Sequence, residues 1–180
     1  MKFRADHDAV RPLVVERGRH VDTVVQRDTY YDAPHRSFAD TDEALRVRRE
    51  DHEDGTETRL TYKGPLVDEV SKSREEAETA VGDAEALATA LERLGFEPAA
   101  TVEKRRERYA VEGYTVVLDE VSGVGEFVEI ERESDDLEAA REGAFALARE
   151  LGFDPEDGIR ESYLGMVLAD GTGGGSDASG

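Results

Sequence analysis

In "ALRVRR" (residues 44–49) Leu45 and Val47 fall on one side of an extended chain and Arg46 and Arg48 on the other, because side chains in a strand alternate with period two. The same division recurs along the chain. "RLTYK" (59–63) sets Leu60 and Tyr62 against Arg59, Thr61 and Lys63, and "VEKRRERY" (102–109) gathers Lys104, Arg106 and Arg108 on one side. "GEFVEIERE" (125–133) opposes Val128 and Ile130 to Glu129 and Glu131, and in "TVVLDEV" (115–121) Asp119 shares a side with Val117 and Val121. One polar face per strand is ordinarily a solvated face. Pooled, these faces are not random. Basic side chains concentrate near 46, 61 and 106 and carboxylates near 119 and 130, whereas 43 acidic against 23 basic residues would make an undirected surface acidic throughout. The pattern predicts an α+β protein with a closed or nearly closed eight-stranded antiparallel β-barrel, charged in its lumen and apolar outside under helices.

The strands are expected over 1–5, 20–31, 43–50, 56–63, 72–80, 98–110, 113–121 and 124–133. Helices are expected from Asp6 or Asp8 to Arg17 with Gly18 ending the first, over 83–94 before Gly95, from about Asp135 to Leu151 before Gly152, and over 161–168. "GVG" (123–125) precedes a strand pattern rather than a helix, so it reads as a hairpin turn and not as a phosphate-cradling loop. The stretch "DGTGGGSDASG" (170–180) has one alanine as its sole apolar residue and reads as a disordered tail, leaving a domain over 1–169.

Composition narrows the function. Zero cysteines exclude disulfides and thiolate metal sites, and His7, His20, His35 and His52 are too scattered to show a metal-ligand spacing, so a metal should be held by oxygen. No apolar run approaches the ~20 residues needed to span a bilayer, and charge follows Met1 at once, so a cytoplasmic protein with no membrane partner is expected. A net charge of −20 speaks against nucleic acid as a partner. Four lysines stand beside nineteen arginines, a lysine-poor acidic surface of the kind expected of a halophilic cytosol, where salt screens self-repulsion.

Buried like charges need counter-charges, so a lumen of Arg and Lys calls for an anionic occupant. Guanidinium forks at period-two spacing suit successive phosphoryl groups. Carboxylates in the same lumen would repel that ligand unless Mg²⁺ or Mn²⁺ lay between. The expected ligand is a metal–triphosphate.

"DTYYDAPHRSFADTDEALRVRRE" (28–50), "RLTYKGP" (59–65), "KSREEAET" (72–79), "VEKRRERY" (102–109) and "VVLDEVSGVGEFVEIERE" (116–133) together resemble the CYTH superfamily, the triphosphate tunnel metalloenzymes. The first and last segments look closest to class IV adenylate cyclase-like proteins. The resemblance implies triphosphate binding by Arg46, Arg48, Lys63, Arg74, Lys104, Arg106 and Arg160, metal binding by Asp119, Glu129 and Glu131, and catalytic roles for Lys2, Lys63 and Glu76. It implies conversion of ATP to cyclic AMP and pyrophosphate with Mg²⁺ or Mn²⁺, by a monomer or homodimer. Hydrolysis of tripolyphosphate or of a nucleoside or thiamine triphosphate, or triphosphate binding without turnover, is the alternative. The superfamily opens on Glu-x-Glu-x-Lys. Lys2 fits its last position, so a natural start a few codons upstream, reading through a Glu-x-Glu, is expected.

Overall fold

The computed structural model describes residues 1–68, 73–134 and 136–169. The expected tail over 170–180, Lys72, and Asp135 as a helix start lie outside them. In chain order the elements are β1 (Lys2–Arg4), α1 (His7–Arg17), β2 (Arg19–Asp32), β3 (Ala44–His52), β4 (Gly55–Asp68), β5 (Ser73–Ala80), α2 (Ala84–Arg93), β6 (Glu97–Val111), β7 (Tyr114–Val121), β8 (Gly125–Glu131), α3 (Leu137–Glu150) and α4 (Tyr163–Ala169). All eight expected strands are present. No helix among the described residues is long and apolar enough to cross a membrane.

The strands do not close into the expected barrel. They form one open antiparallel sheet in the order β1-β8-β7-β6-β2-β3-β4-β5, with β1 and β5 at its edges. Closure would require β1 to pair with β5, and β1 has only three residues to offer. Its backbone is also engaged elsewhere: the Lys2 carbonyl accepts from the Ile159 N–H at 2.8 Å, so the segment after α3 occupies that edge. Period-two alternation reports which residues share a face. It carries no information on whether the last strand meets the first.

The chain divides into two compact units, Met1–Val25 with Lys104–Met166, and Gln26–Glu103 with the residues from Val167. In the first, the register Lys2↔Glu129, Val117↔Glu129 and Arg106↔Asp119 puts the charged residues of β1, β6, β7 and β8 on one face. The opposite face carries Phe3, Tyr109, Val111, Val116, Leu118, Val128 and Ile130, which pack with Val10 and Val14 of α1 and Ala144, Leu147 and Ala148 of α3. The Asp6 carboxylate caps α1 by accepting from the Asp8 N–H. Asp136 caps α3 by accepting from Ala139. Leu137, the first residue of α3, is exposed.

Gly18 ends α1, but not through a left-handed cap: its φ of −142° is extended backbone. What requires glycine there is space. A Cβ would lie 2.5 Å from both the Ala110 carbonyl oxygen and Val111 Cγ2. Gly18→Ala should therefore destabilise the protein by about 1–2 kcal/mol through overpacking; an unchanged urea midpoint would contradict this close approach.

Glu107 is a buried charge on the helix-covered face, accepting from Arg11, Arg105 and the Tyr109 hydroxyl. Burial alone would raise its pKa, yet these donors hold it below the usual glutamate range. Its contribution to stability is full above the unfolded glutamate pKa and is lost as the pH falls through the lower folded value. Glu107→Gln should flatten the acid limb of a stability–pH profile, and an identical limb would remove Glu107 from that role.

In the second unit β3, β4 and β5 form two successive antiparallel pairs. The registers Arg46↔Thr61, Arg48↔Arg59, Glu50↔Glu57, Thr61↔Glu78 and Lys63↔Glu76 put these residues on one face. Leu45, Val47, Leu60 and Tyr62 share the other, as the sequence alternation requires.

Candidate functional site

On the charged face of the first unit, Asp119 is fully buried and accepts a forked pair from Arg106, Nε at 2.7 Å and Nη2 at 2.5 Å. Arg106 also reaches Glu129 at 2.8 Å, and Lys104 Nζ lies 3.7 Å from Asp119. Burial works against the Arg106 charge, but Asp119, Glu129 and Glu131 outweigh it and raise the guanidinium pKa. Burial likewise opposes the Asp119 charge, and Arg106 and Lys104 outweigh it, holding the carboxyl below its ordinary range. Glu131 goes the other way: burial first, then the charge of Glu129, push it up. Lys2 Nζ lies 3.7 Å from Glu129 Oε1, donates to the Glu161 carbonyl at 2.9 Å and sits 3.9 Å from the Tyr163 ring centroid. The sequence-derived set Lys2, Lys104, Arg106, Asp119, Glu129 and Glu131 thus shares one sheet face. Arg160 is exposed, in the segment before α4.

Tyr163 was not singled out by the sequence. Its hydroxyl donates to Asp119 at 3.0 Å, and burial together with the Asp119 charge raises its pKa. Nothing in a lone tyrosine opening a seven-residue helix signals this position.

On the charged face of the second unit, Arg48 binds Asp28 through two 2.6 Å bonds, and Arg46 Nη1 lies 3.6 Å from the same carboxylate. Asp28 was missed, although Val24, Gln26 and Asp28 are buried in strict alternation on β2, and a polar residue in that series was a readable signal. Arg46 donates weakly to Thr61 at 3.4 Å, and its buried Nε–H makes no hydrogen bond among the described residues. Lys63 binds Glu76 at 2.9 Å. Arg74 donates to the Asp42 carboxylate at 2.9 Å and to the Asp42 and Gly64 carbonyls at 2.7 and 3.1 Å, which makes it a clamp on the loop before β3.

The same face carries a candidate metal-binding cluster at the end of the β3–β4 pair. Glu50, His52 and Glu57 offer one ligand atom each, all within 4.8 Å of one another. The cluster sets one histidine beside two carboxylates, a grouping that the expectation of oxygen ligands did not single out. Glu50-x-His52 places two side chains on one strand face, and the Glu53–Asp54 turn brings Glu57 opposite Glu50.

The charged faces carry the residues by which the sequence resembles the triphosphate-tunnel superfamily. Within it, the chain belongs to the CYTH family, whose CYTH domain pattern matches residues 1–163, and is related to class IV adenylate cyclase-like proteins. It is 36% identical over 142 residues to the candidate adenylate cyclase MJ0240 of Methanocaldococcus jannaschii, covering 77% of this chain and 79% of that protein. It is 30% identical over 141 residues to the adenylate cyclase CyaB of Aeromonas hydrophila, covering 77% and 70%. The solved PH1819 protein of Pyrococcus horikoshii is 39% identical with a TM-score of 0.79, over 93% of this chain and 96% of that one.

Proposed function

We propose that the protein is a metal-dependent enzyme acting on a triphosphate, and that its reaction is the class IV adenylate cyclase type: ATP to cyclic AMP and pyrophosphate. The observation that carries the reading is the first unit's charged face, where the buried cations Lys104 and Arg106 stand beside Asp119, Glu129 and Glu131. Cations suited to phosphoryl oxygens and carboxylates that such a ligand would repel coexist there. The names of the Methanocaldococcus and Aeromonas relatives favour cyclase chemistry.

The donor set fits a hard divalent ion. Asp119, Glu129 and Glu131 bring three carboxylates to this face; Asp119 is engaged by Arg106 and Tyr163, and Glu131 beside Glu129 is held protonated more readily than an ordinary glutamate, a crowding that a dication relieves. When bound, Mg²⁺ or Mn²⁺ would offset charge on the phosphate chain. The remaining roles belong to side chains. In the first unit Lys104 and Arg106 hold phosphoryl oxygens; in the second unit Arg46, whose buried Nε–H makes no hydrogen bond among the described residues, and Arg48 are anion-binding groups in their own right. The ribose 3′-oxygen attacks the α-phosphorus, the bond to the bridging oxygen breaks, and pyrophosphate leaves. Glu76, positioned by Lys63, receives the hydroxyl proton. Lys2, 3.7 Å from Glu129, orients the first unit's charged face.

Incubation with ATP and, separately, tripolyphosphate in Mn²⁺, followed by separation of nucleotides from phosphate, tests this. Cyclic AMP with stoichiometric pyrophosphate is expected. Orthophosphate from either substrate would replace the cyclase reading by a triphosphatase, and binding without products would leave a triphosphate-binding protein. Glu129→Gln or Glu131→Gln should raise the Mn²⁺ concentration for half activity by about tenfold or more; an unaltered titration removes that residue from the metal site.

A further inference from the structure

We infer that Glu50, His52 and Glu57 form a second metal site, taking a borderline divalent transition ion of the Zn²⁺ kind and separate from the carboxylates that serve the triphosphate reaction. Three features of the cluster carry this.

The first is an unsatisfied nitrogen. His52 Nε2 is shielded from solvent and makes no hydrogen bond among the described residues, although a carboxylate oxygen, Glu50 Oε2, lies 3.6 Å away. That spacing is too long for a hydrogen bond. It is the separation of two ligands on one tetrahedral ion: bonds of about 2.0–2.1 Å to nitrogen and oxygen at a tetrahedral angle put the ligand atoms about 3.4 Å apart.

The second is the way Glu50 is held. Its other oxygen, Oε1, accepts from the fully buried Gln26 side chain and lies 3.9 Å from Arg48 Nη1. The carboxylate is thereby anchored beside His52, an arrangement that raises affinity by fixing the ligand before the metal arrives.

The third is the donor set. An imidazole with two carboxylates supplies three ligands of the types that zinc takes and leaves a fourth position for water, whereas Mg²⁺ prefers oxygen alone. The ligands come from both strands of one hairpin, Glu50 and His52 from β3 and Glu57 from β4, so a bound ion ties the strand ends across the Glu53–Asp54 turn. Occupancy should therefore stiffen the hairpin that also carries Arg46 and Arg48.

The test uses the chelator-stripped full chain with metal alone, so it does not depend on any turnover. Titration with Co²⁺ should produce the visible absorption of a low-coordinate cobalt site, and Zn²⁺ should displace it while millimolar Mg²⁺ should not. His52→Ala and Glu57→Gln should each weaken Zn²⁺ binding by about tenfold or more, with circular dichroism unchanged. Glu129→Gln should retain the site. If His52→Ala fails to fold, His52→Gln, which keeps bulk and polarity, replaces it with the same expected loss. A cobalt spectrum that is absent, that survives both cluster substitutions, or that disappears in Glu129→Gln would overturn the assignment. Loss of the cyclase reading would leave these outcomes untouched, because none reads activity.

Discussion

Asp119→Ala should lower the unfolding free energy by about 3–5 kcal/mol, the range for breaking a buried ion pair by removing one partner. The carboxylate has no exposed surface and serves three groups: the Arg106 fork, Lys104 at 3.7 Å and the Tyr163 hydroxyl at 3.0 Å. Deleting it leaves two buried cations with one fewer counter-charge and a buried hydroxyl without its acceptor. Glu129, already 2.8 Å from Arg106, can take over part of the load. Asp119→Asn should fall between wild type and alanine, since the amide oxygen can still accept from Tyr163 while the charge is gone. Urea unfolding checks both variants. An alanine variant as stable as the wild type would mean that Glu129 alone neutralises Arg106, and the central place given to Asp119 would be wrong.

The face on which each of these residues sits was legible in the sequence, and for a simple reason. Alternation is local: Arg106 must lie opposite Glu107 whatever the strand pairs with, and the register then brought Arg106 beside Asp119. Helix ends were legible for the same reason at Asp6 and Asp83, whose carboxylates accept from N–H groups of the turns that follow. What failed was global. Closure of the sheet depends on whether β1 and β5 meet, and nothing within either strand specifies that; the Ile159 N–H, far along the chain, takes the Lys2 carbonyl instead. Partners across strands failed similarly. Asp28 could not be paired with Arg48, nor Tyr163 with Asp119 as its hydroxyl donor, because both contacts join segments that no local pattern links. The Glu50, His52 and Glu57 cluster lies between these cases. Its spacing around one turn was readable, but counting histidines across the whole chain hid a ligand set that needs only one.

Arg48→Ala should cost about 3 kcal/mol of stability, at the lower end for a broken buried pair because Arg48 keeps some exposure. It should also weaken tripolyphosphate binding by about tenfold or more, the loss of a charge-assisted contact. The two effects have different origins and can be separated. The stability loss comes from Asp28, which is buried and would lose its forked partner while Arg46 stays 3.6 Å away. The affinity loss comes from the missing guanidinium itself. Removing Asp28 as well should therefore restore much of the stability and none of the affinity. Asp28→Ala alone is the informative third member of the cycle. It leaves Arg46 and Arg48 without their carboxylate, so the free protein is destabilised, while an arriving polyphosphate no longer competes with Asp28 for the two forks. Tripolyphosphate should then raise the melting temperature of Asp28→Ala more than that of the wild type, because a ligand stabilises in proportion to its affinity for the folded state. Equal ligand-induced shifts in the two proteins, together with unchanged affinity in Arg48→Ala, would show that this arginine pair serves the sheet alone.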